Sequence, residues 1–146
     1  MKNIILSFIL LPILLTSCTN YFIPIESFKD QFKNIDSTQL VKVNVLGPYG
    51  ERYEYDANPI KFINCIDKNK ISYKLKNSPS IEIRFTQNNG KKTIFYFDRV
   101  IVQDTMIFGM RSRFIGLRKG IPLNNIKLIE VQDGKKNFTY EKEKIK

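Results

Sequence analysis

The sequence predicts a mainly β protein, a small antiparallel barrel or sandwich preceded by one short N-terminal helix. Three observations predict it. From Gln39 onward, apolar and polar residues alternate with a period of two, as strands with one buried face require. Turn-forming residues recur between these runs at Gly47-Pro48, Asn58-Pro59, Asn77-Ser78-Pro79, Asn88-Asn89-Gly90 and Asp133-Gly134. Ser27 to Asn34 offers the best helical signal.

In that helical stretch Ser27 offers a cap, Asp30 suits the first turn, and Phe28 and Phe32 share a face at i, i+4. Val41, Val43 and Val45 then alternate with Lys42 and Asn44 as a half-buried strand. Gly47 to Gly50 turns the chain, and Arg52 to Tyr55 returns it. Residues 60–66 fit either a short helix or a strand, and Ile71 to Leu75 alternates again.

The second half is cleaner. Ile81, Ile83 and Phe85 alternate with Glu82, Arg84 and Thr86, and Asn88-Asn89-Gly90 supplies residues that tolerate positive φ. Thr93 to Phe97 returns, with Phe95 and Phe97 on one face and Ile94 and Tyr96 on the other. Asp98-Arg99 and Asp104-Thr105 read as punctuation, leaving Val100 to Val102 and Met106 to Met110 as short strands. Phe114 to Leu117 follows, Gly120-Ile121-Pro122 and Asn124-Asn125 break the run, and Ile126 to Val131 closes the set. The expected division is a β-rich domain over 26–134 and a charged tail over 135–146.

Ile81 to Val131 resembles the small Sm/SH3-like barrels found in lipoproteins of unknown function from Bacteroidetes-type bacteria. The resemblance rests on a strand, a glycine-containing polar turn, several short strands and an ending that reads Ile121-Pro122-Leu123, then Ile126, Ile129 and Val131. It implies a fold and brings no catalytic residues with it. The uridine-binding signature of true Sm proteins has no counterpart here.

The first eighteen residues set the expected address. Lys2 supplies a positive start, Ile4 to Leu15 is apolar apart from Ser7, and small residues precede Cys18. This is the pattern of a secretory signal peptide. The run is shorter than the roughly 20 apolar residues that cross about 30 Å of hydrocarbon, and no basic cluster follows it. Leu15-Thr16-Ser17-Cys18 resembles the lipobox of bacterial lipoproteins. That resemblance implies cleavage after Ser17, removal of residues 1–17, and acylation of Cys18, which makes membrane lipid the first expected partner. Two or three acyl chains, at about 0.8 kcal/mol per buried methylene, would hold the protein firmly. An ordinary signal peptide with a chance cysteine, or an uncleaved anchor, is the alternative.

Residues 18–25 are too short, and too poor in glycine and serine, for a long flexible tether. Their aromatics, Tyr21 and Phe22, either sit at the headgroup level or pack on the domain, and both keep the domain close to the bilayer. The residues after Cys18 lack the aspartate that holds enteric lipoproteins at the inner membrane, and the acidic run of surface-exported ones. By resemblance the expected location is the periplasmic face of the outer membrane.

Charge and cysteine content narrow the chemistry. With 24 Lys+Arg against 14 Asp+Glu, the formal charge is +10 over 146 residues. Such an excess favours anionic partners such as lipid headgroups or an acidic envelope polymer, or a protein partner, although it also simply solubilises. Export would keep nucleic acid out of reach. With Cys18 acylated, Cys65 has no cysteine to pair with, and its apolar flanks read as core. There is no histidine to activate it.

No phosphate loop, metal-ligand spacing or nucleophile elbow is present, so neither a cofactor nor a metal is expected. Glu51, Glu54 and Asp56 lie close together, yet read as the solvated face of a hairpin. Arg111, Arg113, Arg118 and Lys119 form the most suggestive cluster. Arg111 and Arg113 are expected on one strand face, able to fork onto phosphate or carboxylate. A charged edge that discourages aggregation is the competing reading. The expectation is a lipid-anchored, non-enzymatic binding, accessory or structural module of the cell envelope. A periplasmic enzyme of unrecognised type and a basic Sm-like binder of anionic polymer are its alternatives.

Overall fold

The computed structural model describes residues 20–113 and 116–141. Cys18, Phe114 and the last five residues lie outside the described residues. The protein is mainly β, with one α-helix and three antiparallel sheets that do not close into a barrel.

Strand β1 (Tyr21–Phe22) leads into helix α1 (Ile25–Phe32). The hairpins β2 (Val41–Leu46) with β3 (Arg52–Ala57) and β4 (Phe62–Ile66) with β5 (Ser72–Lys76) follow. Next come β6 (Ile81–Gln87) and β7 (Lys92–Tyr96), then a 3-10 turn over Phe97–Arg99. Short strands β8 (Ile101–Gln103), β9 (Met106–Met110) and β10 (Arg118–Pro122) precede β11 (Ile126–Asp133) and β12 (Thr139–Tyr140). The main sheet runs β5-β4-β1-β11-β6-β7, flanked by the sheets β10-β9-β8 and β12-β2-β3.

Alternation sets these strands. In β6, Ile81, Ile83, Phe85 and Gln87 are buried while the residues between them are partly exposed. Within residues 60–66, Phe62–Ile66 resolves as strand, because Ile63 and Cys65 alternate inward against Leu75 and Tyr73 of β5. Gly90, at φ +81°, closes the β6–β7 hairpin, a position that a residue with a Cβ adopts at a cost.

The helix covers the inner face of the main sheet. Phe28 meets Phe85 edge-on with ring centroids 5.4 Å apart, and Phe32 lies 5.6 Å from Phe97. Five buried phenylalanines, Phe28, Phe32, Phe85, Phe95 and Phe97, are linked by ring contacts within the core. Helix α1 begins three residues earlier than its cap signal predicts. Pro24 precedes its first turn, with φ already fixed near the helical value, and makes no side-chain cap bond. Ser27 instead sits inside the helix and accepts from Gln31. Gln31 in turn bonds both the N–H and the C=O of Asn64, capping the open edge of β4.

Four expectations are corrected. Residues 18–25 are not merely a tether: Tyr21 and Phe22 pair with β11 and β4, Ile23 is buried, and Ile25 starts the helix. The strand expected over Phe114–Leu117 begins at Arg118 among the described residues, and Gly120-Ile121-Pro122 continues it, Gly120 opposite Phe108. Residues 135–141 are not a tail. Phe138 is buried, its N–H donating to Ser80 Oγ, and β12 pairs with β2. The domain therefore reaches from Tyr21 to at least Glu141, whose N–H donates to Asn44 O.

Candidate functional site

The junction of the three sheets holds a buried ionic centre. It is built first by Asn58, at the end of β3. The Asn58 side chain donates to Phe97 O (2.7 Å) and Val100 O (3.0 Å), and its backbone N–H donates to Asp98 O (2.7 Å). These bonds fix the 3-10 turn so that Asp98 points inward, fully buried. Tyr55 from β3 donates to Asp98 Oδ2 at 2.5 Å, and Tyr140 from β12 donates to the same oxygen at 3.0 Å.

Arg113, beyond the end of β9, completes the centre. Its Nη1 donates to the Tyr55 hydroxyl at 2.6 Å, and its Nη2 lies 3.8 Å from Asp98 Oδ1. The guanidinium sits over the Tyr96 ring, 3.8 Å from the centroid, with Phe138 on another side at 5.1 Å. Its side chain is only 2% exposed. Burial pushes Asp98 above the ordinary carboxyl value, opposed by Arg113 and the two phenols. Burial and Asp98 push both phenols upward as well. Among the described residues, Asp98 Oδ1 and the Nε and Nη2 atoms of Arg113 accept or donate no hydrogen bond. At 3.8 Å the Arg113–Asp98 pair is Coulombic attraction without a good hydrogen bond.

Above this centre opens a cleft of about 290 Å³, with Tyr55 at its base. Arg99 and Arg118 line it, together with Leu40, Asp56, Gly109 and Met110. Arg99 stacks 4.6 Å over the Tyr55 ring, and Arg118 stacks 4.2 Å over Phe108. Neither forms an ion pair to a carboxylate among the described residues. Two guanidinium forks therefore face one concave space, positioned by aromatic rings, and among the described residues their N–H groups meet no carboxylate. Asp56, also in the wall, disfavours an anion that approaches from its side.

The basic residues singled out from sequence separate into three places. Arg113 is interior, which corrects the expectation that it shares a strand face with Arg111. The chain leaves β9 at Met110 and bends, and the acceptors for Arg113 lie inside the domain. Arg118 belongs to the cleft. Lys119, its neighbour on the opposite face of β10, stands with Lys91 and the exposed Arg111. Partial burial and those two charges pull the Lys119 ammonium below its ordinary value. Cys65 is buried and its thiol pushed up by burial, consistent with a core role. Glu54 and Asp56 are exposed on the hairpin, Glu54 pairing with Lys42 at 3.1 Å. Sequence reasoning missed Asp98, Tyr55, Tyr140 and Arg99.

Comparison with protein-family models, with curated proteins and with solved structures gave no match.

Proposed function

We propose that the protein is a lipoprotein of the bacterial cell envelope, anchored through acylated Cys18 on the periplasmic face of the outer membrane. It acts as a non-enzymatic binding module. The observation that carries this reading is the placement of the lipobox. Cys18 ends the apolar leader only two residues before Asn20, and β1 starts at Tyr21 in the interior of the main sheet. A lipid at Cys18 would thus hold a folded domain directly at the bilayer. No helix among the described residues is long and apolar enough to cross a membrane.

The binding element of this module is the cleft of Arg99 and Arg118, whose chemistry suits carboxylate or phosphate groups of an envelope polymer. The buried centre beneath it serves as a scaffold. Asp98 and Arg113 are too enclosed to reach a ligand, but they fix Tyr55, on which Arg99 rests. Membrane fractionation of wild type and Cys18→Ala tests the anchor. The wild type should stay in the membrane pellet through high-salt washing, and the variant should appear in the soluble extract. Equal retention of both would contradict acyl anchoring.

A further inference from the structure

We propose that the end of the main sheet nearest Cys18 is itself a membrane-contact surface that takes the headgroups of an anionic bilayer. This rests on the lipid-anchor reading and adds to it an orientation for the domain. Phe22 pairs with Ile66, and extending that antiparallel register by two places sets Asn20 level with Lys68 in the β4–β5 turn. The Tyr21 ring lies 5.3 Å from the Tyr73 ring, joining the start of the fold to that hairpin. From Asn20 back to Cys18 the chain spans at most about 7 Å. An acyl group on Cys18 therefore brings this hairpin to the bilayer surface.

The surface has the composition that an interface selects. Lys68, Lys70 and Lys74 are exposed, with Ile71 at 54% and Tyr73 at 43% between them. Lysine stems and tyrosine rings suit the headgroup level, where an apolar body meets a polar tip. The β11–β12 turn at the same end adds exposed Lys135. Nearby carboxylates are engaged within the fold. Asp67 Oδ1 accepts the N–H groups of Asn69 and Ile71, and Asp133 Oδ1 accepts that of Lys135. Glu82 is held by Lys136 and Gln132.

Backbone conformation supplies an independent observation. Lys70 (φ 64°) and Lys135 (φ 49°) occupy the left-handed region, which glycine, asparagine or aspartate fill more cheaply. Asn34 and Asp104 are the ordinary occupants elsewhere, and Asn137 fills a further such position beside Lys135. Lysine at two such turns, both at the end facing the anchor, points to selection for charge there over backbone ease.

The test uses the full-length protein purified from membranes and reconstituted into phosphatidylcholine vesicles with or without phosphatidylglycerol. Amide exchange over residues 67–74 should slow several-fold on the anionic vesicles and stay unchanged over 87–92, at the other end of the sheet. Lys68→Gln/Lys70→Gln/Lys74→Gln should abolish that protection, whereas Lys91→Gln/Lys92→Gln/Lys127→Gln should keep it. Lys70→Gly relieves the backbone, so its denaturation midpoint should hold or rise while protection falls. Equal exchange on both lipids, or equal loss in both triple variants, would overturn the proposal, as would full protection in Lys70→Gly. The mass of the N-terminal peptide, read on the same sample, reports the anchor separately. If it is unacylated, the anchor reading fails and co-sedimentation with the same anionic vesicles decides the surface. Binding that weakens roughly fivefold per hairpin lysine removed would support it, and no sedimentation would overturn it.

Discussion

Arg113 and Arg118 stand five residues apart and live in opposite environments. Arg113 is enclosed by Tyr55, Tyr96, Phe138 and Asp98, and its charge is spent on holding three sheets together. Arg118 leans on one ring, Phe108, and lines an open cleft. The pair teaches that a run of basic residues is not by itself a binding patch. What each arginine can do follows from whether its acceptors are inside the domain or yet to arrive.

The largest expected contrast is in stability. Arg113→Met leaves the Asp98 carboxyl buried without its counter-ion and should cost about 3–5 kcal/mol, a large share of a small domain's total. Arg118→Met, losing only an exposed cation–π contact, should cost no more than about 1 kcal/mol. Urea midpoints of the two variants measure the difference, and similar costs would break the distinction between them.

Tyr140→Phe sharpens the same contrast from the other side. It removes one of two phenol donors to the Asp98 carboxyl, for about 1.5–3 kcal/mol by the same titration. A neutral result would mean that pairing with β2 and Phe138 packing hold β12 without the phenol. Arg99→Gln/Arg118→Gln should do the reverse, leaving the urea midpoint nearly in place. Affinity for polygalacturonate or polyphosphate, read by calorimetry, should fall about tenfold or more, each lost charge-assisted contact being worth roughly 1.5–3 kcal/mol. Unchanged affinity would remove the cleft as the anion site.

The smallest effect is a pH dependence. Because Asp98 titrates above its ordinary 3.8 in the folded protein, the native state holds this proton more tightly than the unfolded chain. The stability it contributes is full below 3.8 and is lost as pH rises through the higher folded value. Wild type should show that decline in stepped-pH urea melts, and Asp98→Asn should lack it. A rise over the same window would mean that Arg113, not burial, governs the carboxyl.

Strands β6 and β7 were legible in the sequence because each buries one face, and β2 was legible by its alternation alone, since Val45 is buried while Val41 stays exposed. The two-residue strands were not. Tyr21–Phe22 and Thr139–Tyr140 carry no period, and they are held by partners distant in sequence, β11 and Asp98. Strand β10 was hidden by Gly120 and Pro122, which read as breakers. It tolerates them because it is an edge strand with Pro122 at its end. The binding side was half legible. Arg118 stood out by charge, but Asp98 looked like turn punctuation, and nothing local distinguishes a tyrosine that reaches a buried carboxylate from one that does not. Gly109 gave no signal either. Its place is set by Phe95, whose Cγ would lie 2.4 Å from an added Cβ.

Acylation of Cys18 is tested most directly by the mass of the mature N-terminal peptide from protein made in a lipoprotein-processing bacterium. The expected peptide begins at Cys18 and carries the mass of a diacylglycerol, with or without a further acyl chain, and Cys18→Ala should give no such peptide. A wild-type peptide that begins at Met1, or one cleaved elsewhere with an unmodified Cys18, would contradict it.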